Sequence, residues 1–220
     1  MKDIYTLINL KSENPELIKK FCYINNVRSK YFTVFILLLA LFISSYDILF
    51  LQKTGPFQFF LINFKVDLVL MVSSFIFTIY IFFNQVKSSK EVTNHHKFIH
   101  GLISLFFICW SAIKTALYLN QGSLHVYLLI ASIFIISILY VFPFYTYLLQ
   151  LFFAFVLFTI SLFYIHTELD QVLYYLFITL VFSFIAFIGR NYVFNLHTKL
   201  FLKDIEIDIL KNSKKGKEKD

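Results

Sequence analysis

Six apolar runs, each long enough to cross the hydrocarbon of a bilayer, dominate this chain. They fall near residues 31–51, 66–85, 99–119, 125–142, 146–165 and 172–190, and a helix needs roughly 20 residues to cross about 30 Å. Lipid offers backbone N–H and C=O groups no partners, so each run must satisfy its own hydrogen bonds as a helix. Alternating strands of barrel length do not occur in the sequence, which removes the other solution. The expected fold is all-α, a polytopic integral membrane helix bundle with about six transmembrane helices. Composition agrees: 59% of the 220 residues are hydrophobic, 15% are charged and the mean hydropathy is +0.73, whereas a soluble domain carries about a quarter charged residues. With 5 Gly and 3 Pro, the helices should be mostly continuous. Pro143 is the exception, marking the joint between the fourth and fifth runs.

Orientation follows from the basic residues, which collect on the cytoplasmic side of short loops. Lys2, Lys11, Lys19, Lys20, Arg28 and Lys30 precede the first run, and Lys87, Lys90 and Lys97 separate the second from the third. Arg190, Lys199, Lys203, Lys211, Lys214, Lys215, Lys217 and Lys219 follow the last. The opposite loops hold only Lys53 and Lys65, together with the acidic Glu168 and Asp170. Both termini are therefore expected inside, in a multi-pass protein of the cell membrane. The polar first 30 residues have no short apolar core ahead of a cleavage site, which argues against a removable signal peptide.

Asn14-Pro15-Glu16 reads as a helix start, with Asn as cap, Pro at the first position and Glu favoured by the dipole. Leu17, Ile18, Phe21 and Ile24 then share one face. Residues 1–30 are thus expected to form a cytoplasmic leader with an interfacial amphipathic helix lying on the inner leaflet, and residues 31–190 the six-helix transmembrane domain. Beyond it, Val193, Leu196, Leu200, Ile207 and Leu210 follow a three-four spacing. This predicts a cytoplasmic extension of the sixth helix over 191–211 with a coiled-coil-like seam. The alternation of Asp204, Glu206 and Asp208 with Ile205, Ile207 and Ile209 would also suit a strand, but such a strand has no sheet to join. Residues 212–220 are lysine-rich and lack large apolar side chains, which predicts a disordered tail drawn to anionic lipid.

Ionisable side chains inside a span are costly and need a reason. Asp47, Asp67 and Lys114 are the most informative of them, and helical rise places all three in the outer half of the bilayer. Helical spacing puts Ala40 and Ser44 on the face of Asp47, Ser74 and Thr78 on that of Asp67, and Phe107, Ser111 and Tyr118 on that of Lys114. Ala112 and Ala116 beside Lys114 would let another backbone approach closely. The candidate cluster is therefore Asp47, Asp67, Lys114, Ser111 and Tyr118. It reads either as an ion pair that seals the bundle or as an outward pocket for a ligand or ion, and Asp67 also reads as a helix-end residue in the first turn of its span. His96 and His100 stand one turn apart beside His95, but His125 and His166 lie on the opposite side and only His197 shares theirs. No metal site and no cofactor are expected. No phosphate loop, serine elbow or paired cysteine ligands occur, so no enzyme is expected. The pI of 9.2 reflects inward-side lysines, which gives no support for nucleic-acid binding. Cys22 and Cys109 fall on parts of the chain that should not meet, so no disulfide is expected.

The leader Phe21 to Lys30, the acidic end of the first span at Tyr46-Asp47, the compact helix pairs and Arg190-Asn191-Tyr192 running into a charged helix carry a resemblance. Together they resemble the six-helix membrane input regions that precede diguanylate cyclase, adenylate cyclase and histidine kinase domains in bacteria. The resemblance spans most of the chain and is architectural, so it assigns no binding or catalytic residue. It implies a sensory or regulatory membrane module whose last helix passes a signal inward. The expected partners are the lipid bilayer and, through residues 191–211, a second copy of the chain or a cytoplasmic output protein. In that family the exit helix feeds a catalytic domain, whereas this sequence stops at Asp220 without one, as an excised or orphaned input region would. The alternative is a small transporter or substrate-binding permease subunit using Asp47, Asp67 and Lys114.

Overall fold

In the computed structural model the apolar runs form six helices, and residues 15–51, 57–119, 126–165 and 168–217 are described. They are α1 (Pro15–Tyr46), α2 (Phe57–Phe83), α3 (Asn94–Leu119), α4 (Tyr127–Leu139), α5 (Phe144–Tyr164) and α6 (Leu169–Lys217), with no strand among the described residues. A π-helical stretch, Asp47–Leu51, prolongs α1, and a 3-10 turn, Ser89–Glu91, precedes α3. All but α4 are long and apolar enough to cross a membrane. The fold is a helical membrane bundle.

The run expected at 125–142 is shorter than a full span. α4 has 13 residues, about 20 Å of helix at 1.5 Å per residue. Tyr140 and Pro143 are extended instead (φ −108°, ψ 135° and φ −56°, ψ 153°). The reason is Pro143, which has no N–H to donate and disfavours helical geometry in the residue before it.

Contacts along α4 fix its direction. At its start the Leu129 N–H donates to Thr115 Oγ1 near the end of α3 (3.1 Å). At its end Tyr140 Oη meets Ser29 Oγ of α1 (2.8 Å), which also meets His100 Nδ1 at the start of α3 (3.1 Å). Lys30 of α1 likewise reaches Gln85 just past α2 (3.0 Å). Successive helices therefore alternate in direction, with α1, α3 and α5 rising from the lysine-rich end and α2, α4 and α6 returning to it. α3 is the central helix: 67% of its most apolar stretch is buried, against 17% for α6. Phe35, Leu38 and Phe42 of α1 and Phe177 and Phe184 of α6 face outward, as side chains solvated by lipid can. Inside, Phe32 meets Phe107 and Tyr140 edge-to-face (5.2 and 5.5 Å between centroids), an arrangement aromatic quadrupoles favour.

Two further expectations differ from the structure. The leader is not a separate helix on the membrane surface: α1 is one rod of 32 residues, about 48 Å long. Leu17, Phe21, Asn25, Ser29 and Thr33, spaced four apart on one face, are all buried, so the leader packs into the bundle as the near end of α1. The tail is not free of structure either, because α6 runs on to Lys217. Lysine is a good helix former, so a lysine-rich segment can continue a helix already nucleated. The stretch 202–210 is helical too, as a continuation of the same nucleated helix, the alternation of acidic and isoleucine residues notwithstanding. Cys22 and Cys109 are both free.

Candidate functional site

At the end remote from the lysines, α1 gives way to its π-helical stretch at Asp47, a distortion that changes which way the following side chains point and that recurs at functional sites. Asp47 is fully buried there. Asp67 comes from α2, which begins at Phe57, so Asp67 lies well inside its helix and is not a first-turn residue. Lys114 of α3 reaches both. Its Nζ donates to Asp47 Oδ2 at 2.5 Å and to Asp67 Oδ2 at 2.8 Å, and all three side chains are 0% exposed. Tyr118, one turn on from Lys114, donates its hydroxyl to Asp47 Oδ1 (3.0 Å) and lays its ring 5.0 Å from the ammonium, within cation–π range. Ser111 is buried on the same helix, but its hydroxyl donates to the Ile108 carbonyl (2.7 Å), so it serves its own backbone and not the cluster. Ala112 and Ala116 are fully buried, leaving no bulk to hold neighbours away. The result is two carboxylates around one ammonium, joining α1, α2 and α3.

A second polar layer lies toward the lysine-rich end, around the break between α4 and α5. Extended backbone at membrane depth survives only where protein satisfies it, and here three side chains do so. Asn25 donates from Nδ2 to the Val141 carbonyl (3.1 Å) and accepts the Val141 N–H on Oδ1 (2.9 Å). Arg28 donates to the Leu139 carbonyl (2.8 Å) and to His197 Nε2 (3.1 Å). Arg190 of α6 donates to the Phe142 carbonyl and stacks 4.8 Å over Phe194. Cations at the carboxyl end of α4 also meet its dipole favourably. Beside this layer is a cavity of about 120 Å³ lined by Phe21, Asn25, His100, Val141, Phe142 and Phe194.

No family model, curated protein or solved structure matches this chain. The histidines do not converge. His95 Nδ1 meets the Tyr80 hydroxyl (2.5 Å), His96 Nδ1 meets Thr93 Oγ1 (2.8 Å), and His100 turns to Ser29. Among the described residues no group of three or more His, Cys, Asp or Glu could hold a metal ion.

Asn25, Arg28 and Arg190 were not candidates on sequence grounds. The two arginines count among the basic residues that set orientation, and Asn25 sits in a stretch that looks interfacial. At the break each of them bonds a backbone group, which leaves no side-chain signature. The one available signal was Pro143, because a broken helix at membrane depth demands donors and acceptors from elsewhere.

Proposed function

We propose that this protein is a sensory or regulatory module of the cell membrane, oriented with its lysine-rich end in the cytoplasm, that passes a signal inward through α6. The observation that carries the reading is the form and fastening of that helix. α6 has 49 residues, about 70 Å of helix, which is far more than a bilayer needs. Its inward half is fastened to the bundle through Arg190 on the Phe142 carbonyl, Phe194 edge-on to Phe21 (5.0 Å), His197 on Arg28 and Phe201 beneath the Lys20 ammonium (4.8 Å). Any rearrangement around the α4–α5 break is thus felt by α6. Further along, Leu196, Leu200, Leu202 and Ile207 remain about half exposed, and an apolar face of that kind gains stability when a second helix covers it.

The test is crosslinking from a single cysteine at Leu200, with Cys22 and Cys109 replaced by alanine, in native membranes. A covalent dimer or an adduct with a cytoplasmic protein supports an output helix. An unlinked, monomeric tail would shift weight to the second reading, a small transporter, which the buried charges at Asp47, Asp67 and Lys114 and the broken helix at 140–143 favour. Transport requires water to reach Ser111 from each side in turn, which cysteine labelling at that position would detect.

A further inference from the structure

The charges of the outer cluster do not balance. Asp47, Asp67 and Lys114 are each wholly enclosed, and with both carboxylates ionised the site would carry one net negative charge shut away from water. The titratable groups that meet there are Tyr46 and Asp47 from α1, Asp67 from α2, and Lys114 and Tyr118 from α3. Lys65 of α2, the nearest other cation in sequence, is exposed on a different face. Buried charge is tolerated when it is paired and hydrogen-bonded, and two carboxylates forced together share a proton rather than both ionise.

The two carboxylates are not equivalent. Asp47 accepts on both oxygens, from Lys114 and from Tyr118. Asp67 accepts only on Oδ2, from Lys114, and its Oδ1 is buried with no partner among the described residues. We propose that the cluster is a proton-binding site in which Asp67 holds one exchangeable proton on Oδ1, opposite a permanent Lys114–Asp47 ion pair. Uptake of one H⁺ converts the Asp67 carboxylate to the neutral acid. Lys114 remains an ammonium, still donating to both residues, and the cluster becomes neutral. Release leaves a negative charge at the junction of α1, α2 and α3, so two states of the bundle differ by one proton. This rests on the geometry of the cluster and not on the output-helix reading, so a failed crosslink at Leu200 would leave it standing.

Infrared spectroscopy of the purified chain in lipid nanodiscs tests it, because a neutral carboxylic acid has a carbonyl stretch that ionised carboxylates lack. At neutral pH the parent should show one such band from a buried acid. Asp67→Asn, which keeps an acceptor for Lys114, should abolish it. Asp67→Glu should move the band, whereas Asp47→Glu should leave it in place, and Lys114→Met should strengthen it, since neither acid then has a cation. If a variant fails to fold, the parent spectrum with and without sodium still decides. Absence of the band at neutral pH, its appearance only when sodium is withdrawn, or its movement with Asp47→Glu would each overturn the proposal, the second by placing a metal cation where the proton is assigned.

Discussion

Asn25 should be among the most sensitive positions in the chain, although it contributes one amide side chain near the end of one helix. It supplies both a donor and an acceptor to a single residue, Val141, whose N–H and C=O have no helical partners because α4 ends at Leu139. Asn25 and Val141 are 3% and 2% exposed, so bulk water is not at hand to replace the lost bonds. Each buried group left unmet costs about 1–3 kcal/mol, so removing the amide should cost about 2–6 kcal/mol. Some relaxation of the extended segment puts the expectation near 3 kcal/mol. Asn25→Leu tests the bonds without truncating the side chain, because it keeps the branching and the number of heavy atoms while deleting both bonds, and Asn25→Ala should cost at least as much. Asn84→Ala is the control: Asn84 is exposed just past α2 and its side chain donates to the Tyr80 carbonyl of that helix, so the change should stay within about 0.5 kcal/mol. Unfolding in mixed lipid–detergent micelles with increasing SDS, followed by circular dichroism, measures all three. An Asn25→Leu protein within about 0.5 kcal/mol of the parent would show that the broken segment does not depend on this residue and would refute the reasoning.

The same assay addresses the charge cluster. Lys114→Met removes the cation that bonds both Asp47 and Asp67 and should cost about 3–5 kcal/mol, with most of it recovered when Asp47→Asn and Asp67→Asn are added. No loss on Lys114→Met, or no recovery in the triple variant, would contradict this ion pairing. Tyr118→Phe keeps the ring beneath the ammonium and deletes the hydroxyl bond to Asp47, so it should cost about 1.5 kcal/mol, the low end for a bond to a charged group.

How much of this was readable in the sequence depends on where each interaction announces itself. Asp47, Asp67 and Lys114 stood out because a charge in an apolar run is expensive, and equal depth on antiparallel helices suggested that they could meet. Tyr118 followed from its spacing to Lys114. Ser111 shares that spacing, yet its hydroxyl finds the Ile108 carbonyl first, a local competition that periodicity does not reveal. The depth of the leader was hidden for a different reason. Leu17 and Phe21 look like an interfacial face, and only with Asn25, Ser29 and Thr33 buried in the same row does the stripe become a packing face that continues into the membrane. The helical 212–217 segment was masked by composition, since lysine suits a solvated tail and a helix end equally well.

An outward cluster and an inward α6 require an even number of crossings, which the short α4 must complete. Single cysteines at Glu168, Lys90 and Lys203 occupy exposed positions and can be probed in intact cells with a membrane-impermeant thiol reagent. Six crossings with both ends inside predict labelling at Glu168 from outside, and labelling at Lys90 and Lys203 only after permeabilisation. Lys90 and Lys203 on opposite sides would mean that α4 does not complete a crossing, and outside labelling of both with Glu168 protected would invert the protein and place the charge cluster on the cytoplasmic side.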